Sequence, residues 1–248
     1  MYSEAYSILK KGNFDFFDIY HEKTEKRHIS FKEKDVENID IGSDEGVGVR
    51  GVNGRSTHYI YSQNHSPKEV KEMALSICKQ NKISHSKLIY IVKKDSLTTF
   101  LPLEDVVGKT KKAMDIAYKI SPCITQVKCD YGDVEKQIEI VKSSGKVAKE
   151  KLTYATFIIE VIARKNENIQ SYRNVISTMA GKKLFEQYNI EELSLKTAQM
   201  ALRLLSAPPA PRGRLPVVLA SQAGGTMTHE AVGHGLEGDL IYEHLSVY

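Results

Sequence analysis

The stretch SDEGVGVRGVNGRSTHYIYS, residues 43–62, decides how the first half of the chain reads. Apolar and polar residues alternate on both sides of Asn53-Gly54, a dipeptide that tolerates positive φ at both positions of a tight hairpin turn. The same alternation runs upstream through FDFFDIYHE (14–22) and RHISFKE (27–33). Short alternating segments with polar or glycine-bearing breaks predict an antiparallel meander. Gly46, Gly48 and Gly51 also spell G-x-G-x-x-G, a dinucleotide-binding pattern. That chemistry needs the last glycine to open a helix whose N-terminus holds a pyrophosphate. Here a turn and another strand follow, so the glycines read as kinks in a twisted hairpin.

Helices flank the meander. Tyr2, Ala5, Tyr6 and Leu9 share one side of a short helix over Tyr2–Lys11. Ser66-Pro67 opens a second helix reaching Gln80, with Val70, Met73, Ala74 and Ile77 as its apolar stripe. KLIYIVK (87–93) reads as a strand, and Pro102–Ile120 as a helix with Val106, Val107, Met114, Ala117 and Tyr118 inward. Then CITQVKCDYGD (123–133), VEKQIEIVKSSG (134–145), LTYATFIIEVIARK (152–165) and NIQSYRNVIST (168–178) alternate like four strands of another sheet. Glu191–Ser206 is a further helix. The fold class is α+β, with antiparallel or mixed sheets packed with helices. Three prolines in APPAPRGR (207–214) stop that helix and favour an extended connector. The expected organisation is an N-terminal α+β region over 1–207, with subdomains 1–100 and 101–207, a connector over 208–214 and a different module over 215–248.

Composition narrows the classes. The chain has 248 residues, 41% hydrophobic and 27% charged, which excludes disordered and fibrous readings. The longest apolar stretches, Phe157–Ala163 and Leu215–Ala220, fall far short of the roughly 20 residues of a membrane helix. The N-terminal MYSEAYSILKKGNFD does not read as a secretory signal, and Cys78, Cys123 and Cys129 fit a reducing compartment, so the expected location is cytoplasmic. The net charge of +4 is spread along the chain, with Lys109, Lys111 and Lys112 the only tight cluster, a weak nucleic-acid signal. His21, His28, His58, His65 and His85 read as surface or sheet-face histidines.

The chemistry concentrates in LPVVLASQAGGTMTHEAVGHGLEGDL, residues 215–240. Leu215–Ala220 suits a buried strand, Gly224 and Gly225 break it, and Thr226 or Thr228 can cap a helix carrying His229, Glu230 and His234. Two imidazoles and a carboxylate in so apolar a setting are costly to bury without a purpose. His229 and His234 are five residues apart and project about 140° from each other on a regular α-helix. A π-type widening or a kink at Gly233 would bring them together, and π-bulges occur often at functional sites. Glu230 and His234 share a face without distortion, so spacing leaves Glu230 open as ligand or base. Residue chemistry alone leaves metal binding and a hydrogen-bonded polar helix terminus both open.

The segment AGGTMTHEAVGHGLEGD resembles the signature of the TldD/PmbA family of metallopeptidases, often labelled modulators of DNA gyrase. SDEGVGVRGVNGRSTHYIYS is similar to that family's N-terminal hairpin region, and APRGRLPVVLAS to its approach to the metal helix. The H-E-x-x-x-H segment points to the TldD branch. The resemblance implies that His229 and His234 ligate zinc and that Glu230 is the catalytic base for hydrolysis of unfolded or extended peptides. It implies a homodimer, or a heterodimer with a sister subunit, and a third ligand, a cysteine, from a C-terminal β-rich domain. No cysteine of this chain follows the motif, and His244, Glu237 or Asp239 are the local substitutes. The expectation is therefore the first strand and metal helix of a truncated catalytic domain, either an incomplete peptidase or a non-catalytic assembly subunit.

Overall fold

A computed structural model describes residues 2–79 and 100–248. The strand expected at 87–93, and His85, lie outside the described residues. The chain divides into two units, Met1–Ala207 and Pro208–Tyr248.

Among the described residues, the first unit is one six-stranded sheet with helices. Its strands are β1 (Phe16–Lys32), β2 (Asp35–Asn53), β3 (Ser56–Ser62), β4 (Ile124–Lys142), β5 (Val147–Lys165) and β6 (Asn168–Thr178), in the order β3-β2-β1-β4-β5-β6. Every neighbouring pair is antiparallel. The α+β class holds, while the reading of two separate sheets does not. β1 pairs with β4 from Asp18↔Lys142 to Lys32↔Lys128 and joins the two meanders into one surface. The strands are also longer than their segments suggested. β2 has 19 residues, roughly 60 Å at about 3.3 Å per residue. The segments 123–133 and 134–145 form the single strand β4, because its backbone is bonded on both sides and Gly132 lies in register with His28 and Thr156 rather than in a turn.

The turns differ from their sequence signals as well. Asn53 pairs with Ser56, so the first hairpin turns through Gly54-Arg55, with Gly54 at φ +57. A glycine at the first turn position is the II′ pattern. Between β1 and β2 the turn is Glu33-Lys34, both at positive φ (53° and 74°), without the usual glycine or asparagine. Lys34 instead holds Asp115 at 2.7 Å and lies over the Tyr118 ring.

The G-x-G-x-x-G glycines make room for aromatic rings. A Cβ on Gly46 would meet Tyr61, one on Gly48 would meet Tyr59, and one on Gly51 would lie 2.6 Å from Phe14. Tyr59 is 60% exposed and can swing aside, whereas Phe14 packs against buried core. Gly51→Ala is therefore expected to destabilise by about 1–3 kcal/mol and Gly48→Ala by less, read from urea midpoints. Equal effects would contradict this account.

The helices of this unit are α1 (Ser3–Lys10), α2 (Pro67–Cys78), α3 (Leu103–Ile120), the short α4 (Leu184–Gln187) and α5 (Ile190–Leu205). Ser66 Oγ accepts from the Glu69 N–H and caps α2, with Pro67 in its first turn. Asn189 caps α5 through the N–H groups of Glu191 and Glu192. Tyr6, Leu9, Val70 and Ile77 of α1 and α2 meet Phe17, Ile19, Val47 and Val49 in one core cluster. Val106, Met114, Ala198 and Ala201 of α3 and α5 meet Ile29, Tyr131, Phe157 and Ile159 in another. Between the clusters the same face of β1 turns polar, with His21, Lys23, Glu25 and Arg27 in register with Glu139, Gln137, Glu135 and Asp133 of β4. Charged residues here stay paired, as when Lys151 meets the buried Glu135 at 3.0 Å.

The second unit holds α6 (Ser221–Thr228), a π-helical turn (His229–Gly233), a 3₁₀ turn (His234–Leu236) and α7 (Gly238–Tyr242). Leu215–Ala220 has no ladder partner among the described residues, and Val218 is 98% exposed, so the run is not a strand here. Gly224 and Gly225, expected as the break between strand and helix, lie inside α6, where the Gly224 N–H already bonds the Ala220 carbonyl at 2.8 Å. The helix therefore begins earlier than a Thr226 or Thr228 cap requires. Thr228 Oγ1 instead donates back to the Gly224 carbonyl. Among the described residues no helix is long and apolar enough to cross a membrane.

Candidate metal centre

The second unit brings His229, Glu230 and His234 together. On a regular α-helix the two histidines would diverge, but the backbone N–H of His234 bonds the His229 carbonyl, an i→i+5 bond. The widened turn sets the imidazoles edge to face with ring centroids 4.7 Å apart. One ligand atom from each of His229, Glu230 and His234 lies within 4.8 Å of the others. Glu230 Oε2 is 3.5 Å from His234 Nε2. Contrary to the sequence reading, these groups are not buried: Glu230 is 64% and His234 52% exposed.

Glu237 enters as a support. Its Oε1 lies 2.5 Å from His234 Nδ1. With the proton on Nδ1, the Nε2 lone pair faces Glu230 and His229, the carboxylate–histidine arrangement that orients metal ligands. Asp239 Oδ1 is turned elsewhere, accepting from the Leu240 N–H. The π turn is braced within its own unit, where Tyr248 donates to the Ala231 carbonyl at 2.9 Å and Ser246 Oγ to the Gly235 carbonyl.

Hydrogen bonding and charge from Glu237, then the charge of Glu230, favour the imidazolium and raise the His234 pKa above the ordinary value near 6.5. An NMR titration of the metal-free protein is expected to show His234 titrating above that value, and lower in Glu237→Gln. An unchanged midpoint in the variant would contradict the contact.

The cysteines do different work. Burial pushes Cys78 up to about 11 and its thiol donates to the Ile8 carbonyl, while burial and then Asp130 push Cys129 up further. Such thiols are poor sources of thiolate. Of the lysine cluster, Lys111 pairs with Asp35 and Lys112 with Glu191. A second convergent set, His21, Glu45 and His65, escaped the sequence reading because its members lie on three separate segments.

An antiparallel α+β unit followed by a short helical unit with a histidine–carboxylate donor set defines the class of protein. Residues 17–79 match PmbA/TldA metallopeptidase domain 1 and residues 100–205 match the PmbA/TldA metallopeptidase central domain. The chain belongs to the PmbA/TldD family. It is 29% identical over 252 residues to the metalloprotease TldD homolog of Buchnera aphidicola subsp. Schizaphis graminum, covering 95% of this chain and 52% of the relative. It is 28% identical over 256 residues to a metalloprotease of Methanocaldococcus jannaschii, covering 97% and 55%. Its fold matches the crystal structure of a putative modulator of DNA gyrase from Bacteroides thetaiotaomicron with TM-score 0.72 and 15% identity, over 98% of this chain and 57% of that one. The chain thus spans about half the length of the relatives it matches.

Proposed function

We propose that the chain is a subunit of a zinc-dependent peptidase acting on unfolded or extended peptides. In this reading His229 and His234 hold the ion and Glu230 is the general base. The single observation that carries it is the i→i+5 turn, which gives two histidines five residues apart a common focus. Zinc is supported by the imidazole–carboxylate donor set and by a relative from Saccharolobus solfataricus named a zinc metalloprotease TldD homolog, 21% identical over 230 residues.

When bound, the ion supplies Lewis acidity, polarising a peptide carbonyl and acidifying water. Glu230 takes the proton of the attacking water and returns it to the leaving amine. Glu237 keeps the His234 proton on Nδ1 and fixes the ring. Two imidazoles would leave positions on a bound ion open, for water and for the cysteine that the family resemblance implies in a C-terminal domain. The active assembly is a homodimer or a heterodimer with a sister subunit, located in the cytoplasm.

Cleavage of an unstructured peptide by the purified chain is expected to stop with a chelator and return with zinc. Cleavage indifferent to chelator would overturn the reading. A second reading, a non-catalytic assembly subunit, is favoured by the exposure of Val217 and Val218, at 73% and 98%. It is tested by co-expression with a full-length relative, where a stable complex without cleavage supports it and a lone monomer counts against it.

A further inference from the structure

Away from the tail, three donor side chains converge at the edge of the polar belt. His21 stands on β1, Glu45 on β2, and His65 in the connection from β3 to α2. His21 Nε2 lies 3.0 Å and His65 Nε2 3.4 Å from the same oxygen, Glu45 Oε1. The two rings stack at 5.1 Å with 25° between their planes, so both Nε2 atoms approach one small volume. One ligand atom from each of the three residues lies within 4.8 Å of the others.

We propose that His21, Glu45 and His65 form a second metal site, for a divalent transition-metal ion of the zinc type. Ligands about 2.0–2.1 Å from a tetrahedral zinc ion stand roughly 3.3 Å from one another, close to the two donor separations here. Two imidazoles and one carboxylate select zinc, cobalt or nickel over magnesium or calcium, which prefer all-oxygen shells. Three protein ligands leave the fourth position to water.

The surroundings hold the donors in position. The His65 loop is fixed by Ser62 Oγ accepting from the Asn64 N–H, Asn64 Oδ1 accepting from the Ser66 N–H, and Tyr2 donating to the His65 carbonyl at 3.2 Å. His65 Nδ1 is buried with no hydrogen-bond partner among the described residues. Binding a metal through Nε2 exchanges its 3.4 Å approach to Glu45 for the ion and leaves the ring proton on Nδ1. Burial, then Glu139 and Glu45, push Tyr2 up to about 12, so it is a wall of the site and not a ligand. Nearby cations are engaged, Lys149 with Glu139 at 2.6 Å and Lys23 with Glu25 at 3.0 Å. Side-chain exposures of 16%, 32% and 42% for His21, Glu45 and His65 leave a path for an ion.

This site is independent of the tail motif, and the test separates them. The full chain carrying His229→Ala and His234→Ala is titrated with Co2+ and followed by its visible absorption. The expected result is one equivalent bound with the intense bands of a tetrahedral centre. Adding His65→Ala or Glu45→Gln, with folding checked by circular dichroism, is expected to weaken binding more than about 100-fold, beyond the 10–100-fold typical of a lost supporting group. Such a loss in either folded variant supports the site. No saturable binding in the tail variant, or binding unchanged by both substitutions, overturns it.

Discussion

Replacing Glu230 with glutamine is expected to lower peptide hydrolysis about 10²–10⁴-fold, the range typical of a lost general acid–base. Zinc should stay bound, because glutamine keeps the shape and His229 and His234 remain on the same widened turn. The split between the two readouts matters. Glu230 Oε2 is 3.5 Å from His234 Nε2, near enough to serve as a ligand, and spacing alone left both roles open. Activity lost together with zinc would make Glu230 a ligand. Activity lost with zinc retained would make it the base. Activity retained would remove Glu230 from the mechanism.

Asp133→Ala is expected to cost about 3–5 kcal/mol of folding stability, the penalty for leaving a buried charge without its partner. Arg27 and Asp133 are 9% and 3% exposed and meet through two bonds, Nε to Oδ1 at 3.1 Å and Nη2 to Oδ2 at 2.5 Å. Arg27 also donates to the Leu101 carbonyl and lies over the Phe100 and Tyr131 rings. Tyr131 donates to Asp133 Oδ2 at 3.0 Å; burial first and then the Asp133 charge push its phenol up, so it remains a donor. The pair spans the seam between β1 and β4, and so between the two family domains matched at 17–79 and 100–205. Replacing both partners with apolar residues, Arg27→Met with Asp133→Leu, should recover most of the loss. Urea unfolding checks both, and a loss below about 1 kcal/mol for Asp133→Ala would contradict the account.

The helices were legible because proline and apolar spacing mark them locally. Pro67 opens α2 and Pro102 precedes α3, and the stripes Val70–Ile77 and Val106–Ala117 are buried. Strand lengths were not, because a glycine in a sequence reads as a break whether the chain turns there or an aromatic ring fills the space. Gly46, Gly48 and Gly51 take Tyr61, Tyr59 and Phe14, and Gly132 sits mid-strand. Nor does Glu33-Lys34 advertise a turn, since neither residue is among those that usually take positive φ.

The tail set His229, Glu230 and His234 was readable because its members are neighbours in sequence, and their five-residue spacing already required a distorted helix to bring the histidines together. The support from Glu237 depends on a 3₁₀ turn that no spacing rule selects. His21, Glu45 and His65 meet only through strand register and a capped loop, so sequence left them as scattered polar residues.

The central claim, that the widened turn makes His229 and His234 a metal-binding pair, is tested most directly by titrating the full chain with zinc while following both imidazoles by NMR. The account predicts that the two resonances move together and reach saturation at the same zinc concentration. Imidazoles that stay unmoved up to millimolar zinc, or that respond independently of each other, would contradict it.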